Sequence, residues 1–245
     1  MTQYYDSLTS YQRISSLEVT IGDRPIGAQN PIRLQSMTCT DTNDIDATVA
    51  QSERVIRAGG DYIRITAQGI KEAEALHLIK QRLIADGYTN PIVADIHFNP
   101  KAAEVASQYI EKVRINPGNY IDKRGNGEVH YTDEEYAAEI EKIRLNLKPL
   151  LQKCNQHGVA IRIGVNHGSL SQRVMSRYGD TPMGLVVSLL EFLQICEAES
   201  FYNVVLSIKA SNTRLMVQAC RLLVQKMKEN GRVYPVHLGV TEAGE

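Results

Sequence analysis

The sequence lacks an excess of either charge: among 245 residues, Lys and Arg number 27, Asp and Glu 28, and the formal charge is -1. That balance gives no bulk attraction to nucleic acid or to an anionic membrane, so any cationic site has to be local. The four cysteines, Cys39, Cys154, Cys196 and Cys220, are scattered and form no C-x-x-C pair. Their spacing speaks against a disulfide framework or a metal site and for reduced, mostly buried thiols in a cytoplasmic protein. No run approaches the roughly 18 apolar residues of a membrane span, and the N-terminal MTQYYDSLTSYQR has no apolar signal core. A G-x-G-x-x-G opening a helix after the first strand is also missing, which weakens a dinucleotide-binding fold.

What is present is a repeating alternation. Short runs rich in Val and Ile predict strands at Arg33–Thr38, Tyr62–Thr66, Ile92–His97, Lys112–Asn116, Ala160–Val165, Asn203–Ala210 and Tyr234–Val240. Helices with readable ends lie between them. Asp46 to Ala58 closes on Gly59-Gly60, and Ile70 to Ala85 stops at Gly87. Asn99-Pro100 and Thr181-Pro182 are N-caps followed by proline, and Thr132-Asp133-Glu134-Glu135 opens a long helix toward Gly158 as a capping box. Asn212 caps a last helix that stops at Gly231, and the apolar MGLVVSLLEFLQIC reads as an outer-ring helix.

Such alternation implies parallel strands with helical crossovers. Seven units of this kind favour an α/β chain of TIM-type (β/α)8 architecture over an open doubly wound sheet. The expectation is one domain spanning 1–245, cut short after the seventh strand.

In such a barrel, side chains alternate between interior and helix layer, and functional groups sit at the C-terminal strand ends. That parity puts Arg64 with Thr66, Asp95 with His97, Arg114 with Asn116, Arg162 with Asn166, Lys209 with Ser211, and His237 with Thr241. Ile63, Ile65, Val113, Ile115, Ile161, Ile163 and Ile208 fall on the opposite, helix-facing side. Six successive strands thus bring polar groups to one rim, four of them cations, against Asp95 and Glu242 as candidate carboxylates. Burying unpaired ions costs several kcal/mol each. One Arg–Asp pair is more often structural, whereas the whole set calls for an anion, and arginine's planar fork suits phosphate oxygens. Asn116-Pro117-Gly118-Asn119 and Asn166-His167-Gly168-Ser169 follow two of these strands with glycines that let a backbone approach a ligand. Asp95-x-His97 reads either as half of a metal site or as a carboxylate that orients an imidazole or bonds a ligand hydroxyl; no third ligand is evident.

The segments LQSMT, YIRIT, ADIHF, VRINPGN, IRIGVNHGSL, SIKAS and HLGVTEAG, in this order, resemble the N-terminal barrel of the 4-hydroxy-3-methylbut-2-enyl diphosphate synthase family, the iron–sulfur enzymes of the non-mevalonate isoprenoid pathway. NHGSLSQRVMSRYGDTPMG and the stretch Tyr131–Val159 resemble its long form, found in plants and some bacteria. The resemblance implies reductive ring opening of 2-C-methyl-D-erythritol 2,4-cyclodiphosphate with electrons from a [4Fe-4S] cluster, fed by flavodoxin or ferredoxin, in a head-to-tail homodimer.

By motif match it implies that Arg64, Arg114, Arg162 and Lys209 clamp the diphosphate, with Asn166, Ser211 and Thr241 adding neutral hydrogen bonds. Asp95 and His97 would position the ring, and Glu242 would lie beside the cluster as proton donor. The cysteines match none of the family's cluster ligands. The eighth strand, the extra domain and the cluster domain are expected to be absent, so the chain alone is expected to bind substrate weakly, if at all, and not to turn over. Two other readings remain open, a pterin-diphosphate transferase of the dihydropteroate synthase type and a non-catalytic anion-binding module.

Overall fold

Seven strands lie side by side in chain order and all run parallel, each joined to the next by a helical crossover. The computed structural model describes residues 9–10, 12–121 and 130–239. A short antiparallel hairpin, β1 (Glu18–Val19) and β2 (Ile26–Gly27), comes first. The parallel sheet then follows as β3 (Gln35–Met37), β4 (Tyr62–Thr66), β5 (Ile92–Ile96), β6 (Lys112–Ile115), β7 (Ala160–Asn166), β8 (Val204–Lys209) and β9 (Val236–Leu238). The connecting helices are α1 (Ile45–Arg57), α2 (Ile70–Ala85), α3 (Pro100–Ala106), α4 (Pro117–Tyr120), α5 (Asp133–His157), α6 (Gln172–Tyr178), α7 (Pro182–Ala198) and α8 (Thr213–Glu229).

The caps read from sequence are formed. Asn99 accepts from the amides of Lys101 and Ala102 with Pro100 at the first turn, Thr181 accepts from Gly184, and Thr132 and Glu135 close a reciprocal box. Gly158 ends α5 at φ 67°, a left-handed conformation that a Cβ would strain. The strand expected at Tyr234–Val240 is shorter, Val236–Leu238, and Val240, Thr241 and Glu242 lie outside the described residues. The hairpin, α4 and α6 carry too few residues for a periodic signal and were not expected.

One cavity of about 1050 Å³ is lined by residues of β3, β4, β6, β8 and β9 together, so the sheet curls until its two edges face one space. Its outer face is apolar. Ile63, Ile65, Val113, Ile115, Ile161, Ile163 and Ile208 are all fully buried in the main core beneath the helices. The hairpin plugs the end where the strands begin, and there Val19 and Ile21 pack on Tyr62, Val93, Ala160 and Val205. Asn203 fastens this plug by accepting from the Thr20 amide at 2.9 Å and donating to the Thr20 carbonyl at 3.0 Å. Burying Ile161, Ile163 and Val165 stabilises by about 1.5–3 kcal/mol each. The strand can therefore tolerate the charged residue in its middle, Arg162.

Candidate anion-binding site

Register makes the site. Arg64 of β4 lies two pairs below the Thr66–Asp95 pair that joins it to β5, Asp95 pairs with Arg114 of β6, and Arg114 pairs with Arg162 of β7. Four consecutive parallel strands thus place inward residues at neighbouring heights, with Asn166 opposite Lys209 two inward positions beyond Arg162 toward the rim.

Asp95 is the hub. Its Oδ1 accepts from Arg114 Nη1 at 3.0 Å, its Oδ2 lies 3.1 Å from His97 Nε2, and Arg64 Nε stands 3.3 Å from Oδ2 at an angle too poor for a hydrogen bond. Burial pushes this carboxyl up. The His97 contact and the charges of Arg114 and Arg64 more than reverse that and hold it well below the usual carboxylate range. Arg114 Nη2 donates onward to the Gly164 carbonyl at 3.1 Å and to Asn166 Oδ1 at 3.3 Å. Arg64 also reaches Met37 Sδ at 2.9 Å.

Arg162 differs from all of these. It is 0% exposed, and none of its three guanidinium nitrogens has a hydrogen-bond partner among the described residues. Burial first, then the charges of Arg114 and Arg64, push it down to about 9, so it remains a cation at neutral pH. Lys209, half buried, is pushed down to about 7 by burial and by Arg64, Arg162 and Arg114.

The sequence reading gave no role to two groups. Lys112 lies on the same inward face as Arg114, a fifth cation, 1% exposed, with its Nζ 4.2 Å from the centre of the Tyr62 ring. Burial and the Arg162 charge hold it well below the lysine range. The signal was there, since Lys112, Arg114 and Asn116 alternate along one strand, but a lysine at a strand's first residue reads as a solvated end. His237 was placed on the inward face and given no role. Its imidazole is pushed down to about 2 by burial and by Arg162, Lys112, Lys209 and Arg64, which makes it a neutral hydrogen-bonding group among cations.

The remaining expectations divide. Asn116 faces inward, yet its side chain caps α4 through the Gly118 amide and donates to Ser169 Oγ at 3.0 Å, tying the two glycine loops together. Gly118 belongs to that tie, because a Cβ there would sit 1.8 Å from the Ser169 carbonyl oxygen. Ser211 is exposed two residues past Lys209, and no bond within the cluster includes it among the described residues. Thr241 and Glu242 fall outside the described residues. Cys154 and Cys196 are buried, Cys39 is exposed, and no three His, Cys, Asp or Glu side chains converge among the described residues.

Gly164 sits between Arg162 and Asn166 on the inward face, where a Cβ would meet Ser207 Oγ at 2.8 Å and Arg114 Nε at 2.9 Å. Gly164→Ala is therefore expected to displace the Arg114 guanidinium and weaken anion binding by about tenfold, the loss of one charge-assisted bond. Titration calorimetry of the variant with inorganic pyrophosphate measures this. Gly164→Ala/Ser207→Ala, which relieves only the serine clash, should recover melting temperature but not affinity.

Residues 16–245 match the family model described as the GcpE TIM-barrel domain. The chain is 59% identical over 239 residues to 4-hydroxy-3-methylbut-2-en-1-yl diphosphate synthase (flavodoxin) of Phocaeicola vulgatus, covering 97% of this chain and 39% of that protein. It is 48% identical over 244 residues to the chloroplastic, ferredoxin-type synthase of Oryza sativa subsp. japonica, covering 99% and 33%. The chain thus spans about two fifths of the length of the first of these relatives or less. Among solved structures, N-acetylneuraminic acid synthetase from Leptospira borgpetersenii matches with a TM-score of 0.55 at 14% identity over 90% of this chain and 69% of that one. DAHP synthase from Thermotoga maritima matches at 0.52 and 14% over 86% and 52%. Likeness at that identity carries the barrel fold alone.

Proposed function

The chain belongs to the GcpE TIM-barrel family, and from that premise we propose that it is the substrate-binding barrel of a 4-hydroxy-3-methylbut-2-enyl diphosphate synthase. In this reading it is a single domain that holds 2-C-methyl-D-erythritol 2,4-cyclodiphosphate for two-electron reductive ring opening. The observation that carries the reading is Arg162, a fully buried guanidinium with three unpartnered nitrogens beside the inward cations Arg64, Arg114 and Lys209 and one described carboxylate. A diphosphate supplies the missing charge.

Arg64, Arg114, Arg162 and Lys209 clamp the two phosphates, and Asn166, Ser211 and Thr241 add neutral donors. Asp95 fixes Arg114 and His97 and so sets where the ring lies, and Glu242 is the proposed proton donor. The described residues do not fit an iron–sulfur cluster, because no three ligand side chains meet. The contribution of the described residues is therefore binding and orientation. The relatives' names include flavodoxin and ferredoxin, and one of these is the proposed electron donor to the whole protein, acting as a cytoplasmic homodimer. The pterin-diphosphate alternative is not favoured by relatives at 48–59% identity that are all named as the synthase.

Calorimetric titration with the cyclic diphosphate, beside a dihydropterin diphosphate, tests the reading. Preference for the cyclic compound is expected, and preference for the pterin compound would overturn it. The same titration carries a pH dependence. The cyclic diphosphate is a diester and does not titrate near neutrality, so proton linkage comes from the protein. With Lys209 at about 7, affinity should be flat below that pH and fall by up to about tenfold per unit above it. Lys209→Met should bind more weakly and flatten the profile.

A further inference from the structure

The floor of the barrel holds an apolar cluster in which Val19, Ile21, Val93, Ala160 and Val205 are all 0% exposed. Lys112 pairs in register with two of its members, Val93 and Ala160, and has no carboxylate within ion-pair distance among the described residues. An apolar side chain would fit the layer at lower cost, because a buried amine forfeits its hydration. What Lys112 does there is cover a face of the Tyr62 ring. Tyr62 cannot readily turn away, since its hydroxyl donates to the Arg24 carbonyl. One layer toward the rim stands Arg162, whose three nitrogens are unpartnered and whose charge acts on Lys112.

A guanidinium without partners is drawn to any exposed aromatic face, and arginine stacks on rings better than lysine does. Tyr62 is the aromatic ring of this floor cluster. We propose that Lys112 is a positioning residue of the anion site: by occupying the Tyr62 ring it denies that ring to Arg162 and keeps the Arg162 guanidinium pointed at the rim. The cover works in either protonation state, because the amine and its methylene stem occupy the ring face in both. This proposal rests on the reading of the rim as a diphosphate site and adds a residue from outside the rim.

Three variants, titrated with inorganic pyrophosphate and melted in parallel, test it. Lys112→Ala uncovers the ring, and affinity is expected to fall about tenfold as Arg162 turns down onto it. Lys112→Met removes the amine but still covers the ring, and should bind within about threefold of the parent while melting at a higher temperature. Lys112→Ala/Tyr62→Leu removes both cover and ring, and should recover affinity to within about threefold of the parent even where its melting temperature falls. A merely structural lysine would give the opposite pattern, with the double variant worse than Lys112→Ala in both readouts. Parent-like affinity in Lys112→Ala, or a tenfold loss in Lys112→Met, overturns the positioning role and leaves the diphosphate reading standing. Failure of the parent chain to bind pyrophosphate overturns both.

Discussion

Arg162→Met should melt several degrees higher than the parent and bind the cyclic diphosphate about 100-fold more weakly. Both signs come from one observation. Arg162 is fully buried and unpartnered, so it is a desolvated charge with no hydrogen bonds among the described residues to offset it. Replacing buried ionic groups by apolar ones of similar size is often stabilising by about 1–4 kcal/mol, and here no internal partner is orphaned by the change. With ligand bound, the same guanidinium makes at least two charge-assisted bonds of about 1.5–3 kcal/mol each, and even the low end of their loss, about 3 kcal/mol, gives 100-fold or more. Thermal unfolding and calorimetry on one preparation check both signs. A variant that melts lower would mean that Arg162 is a structural strut.

Asp95→Asn should do the reverse and destabilise the empty chain by about 3–5 kcal/mol, the cost of removing one partner from a buried ion pair. Asparagine keeps one acceptor oxygen, so either Arg114 loses its 3.0 Å partner or Arg64 and His97 lose the oxygen they share, and all three lose the carboxylate charge. The pH dependence follows from the direction of the shift. The folded carboxyl is held below its unfolded value, so its contribution is complete above about pH 4 and is lost as the pH falls toward the folded value. The gap between parent and variant should therefore be constant from about pH 5 to 8 and narrow below about pH 4. Pyrophosphate at saturating concentration should restore part of the loss, since the anion neutralises the same arginines.

Much of this was legible in the sequence, for a physical reason. Inward and outward positions alternate with a period of two, so an isoleucine on either side of Arg162 already says which face each residue takes. Helix ends were legible because capping uses side-chain chemistry that survives in one dimension, as at Asn99, Thr132 and Thr181. Other features were not. That Arg114 crosses onto the carbonyl of Gly164 depends on the curl of the sheet and on the missing Cβ. Asn116 and Ser169 lie 53 residues apart and meet only in three dimensions. Lys112 was hidden by its place at a strand end, because the hairpin that buries it is two residues per strand and gives no pattern of its own.

The most direct test of the central claim is a crystal structure of the chain with the cyclic diphosphate bound. The expected result has phosphate oxygens within about 3 Å of the Arg162 nitrogens, with Arg114 still joined to Asp95 and Lys112 still over Tyr62. A ligand bound elsewhere, with Arg162 still unpartnered, would contradict it.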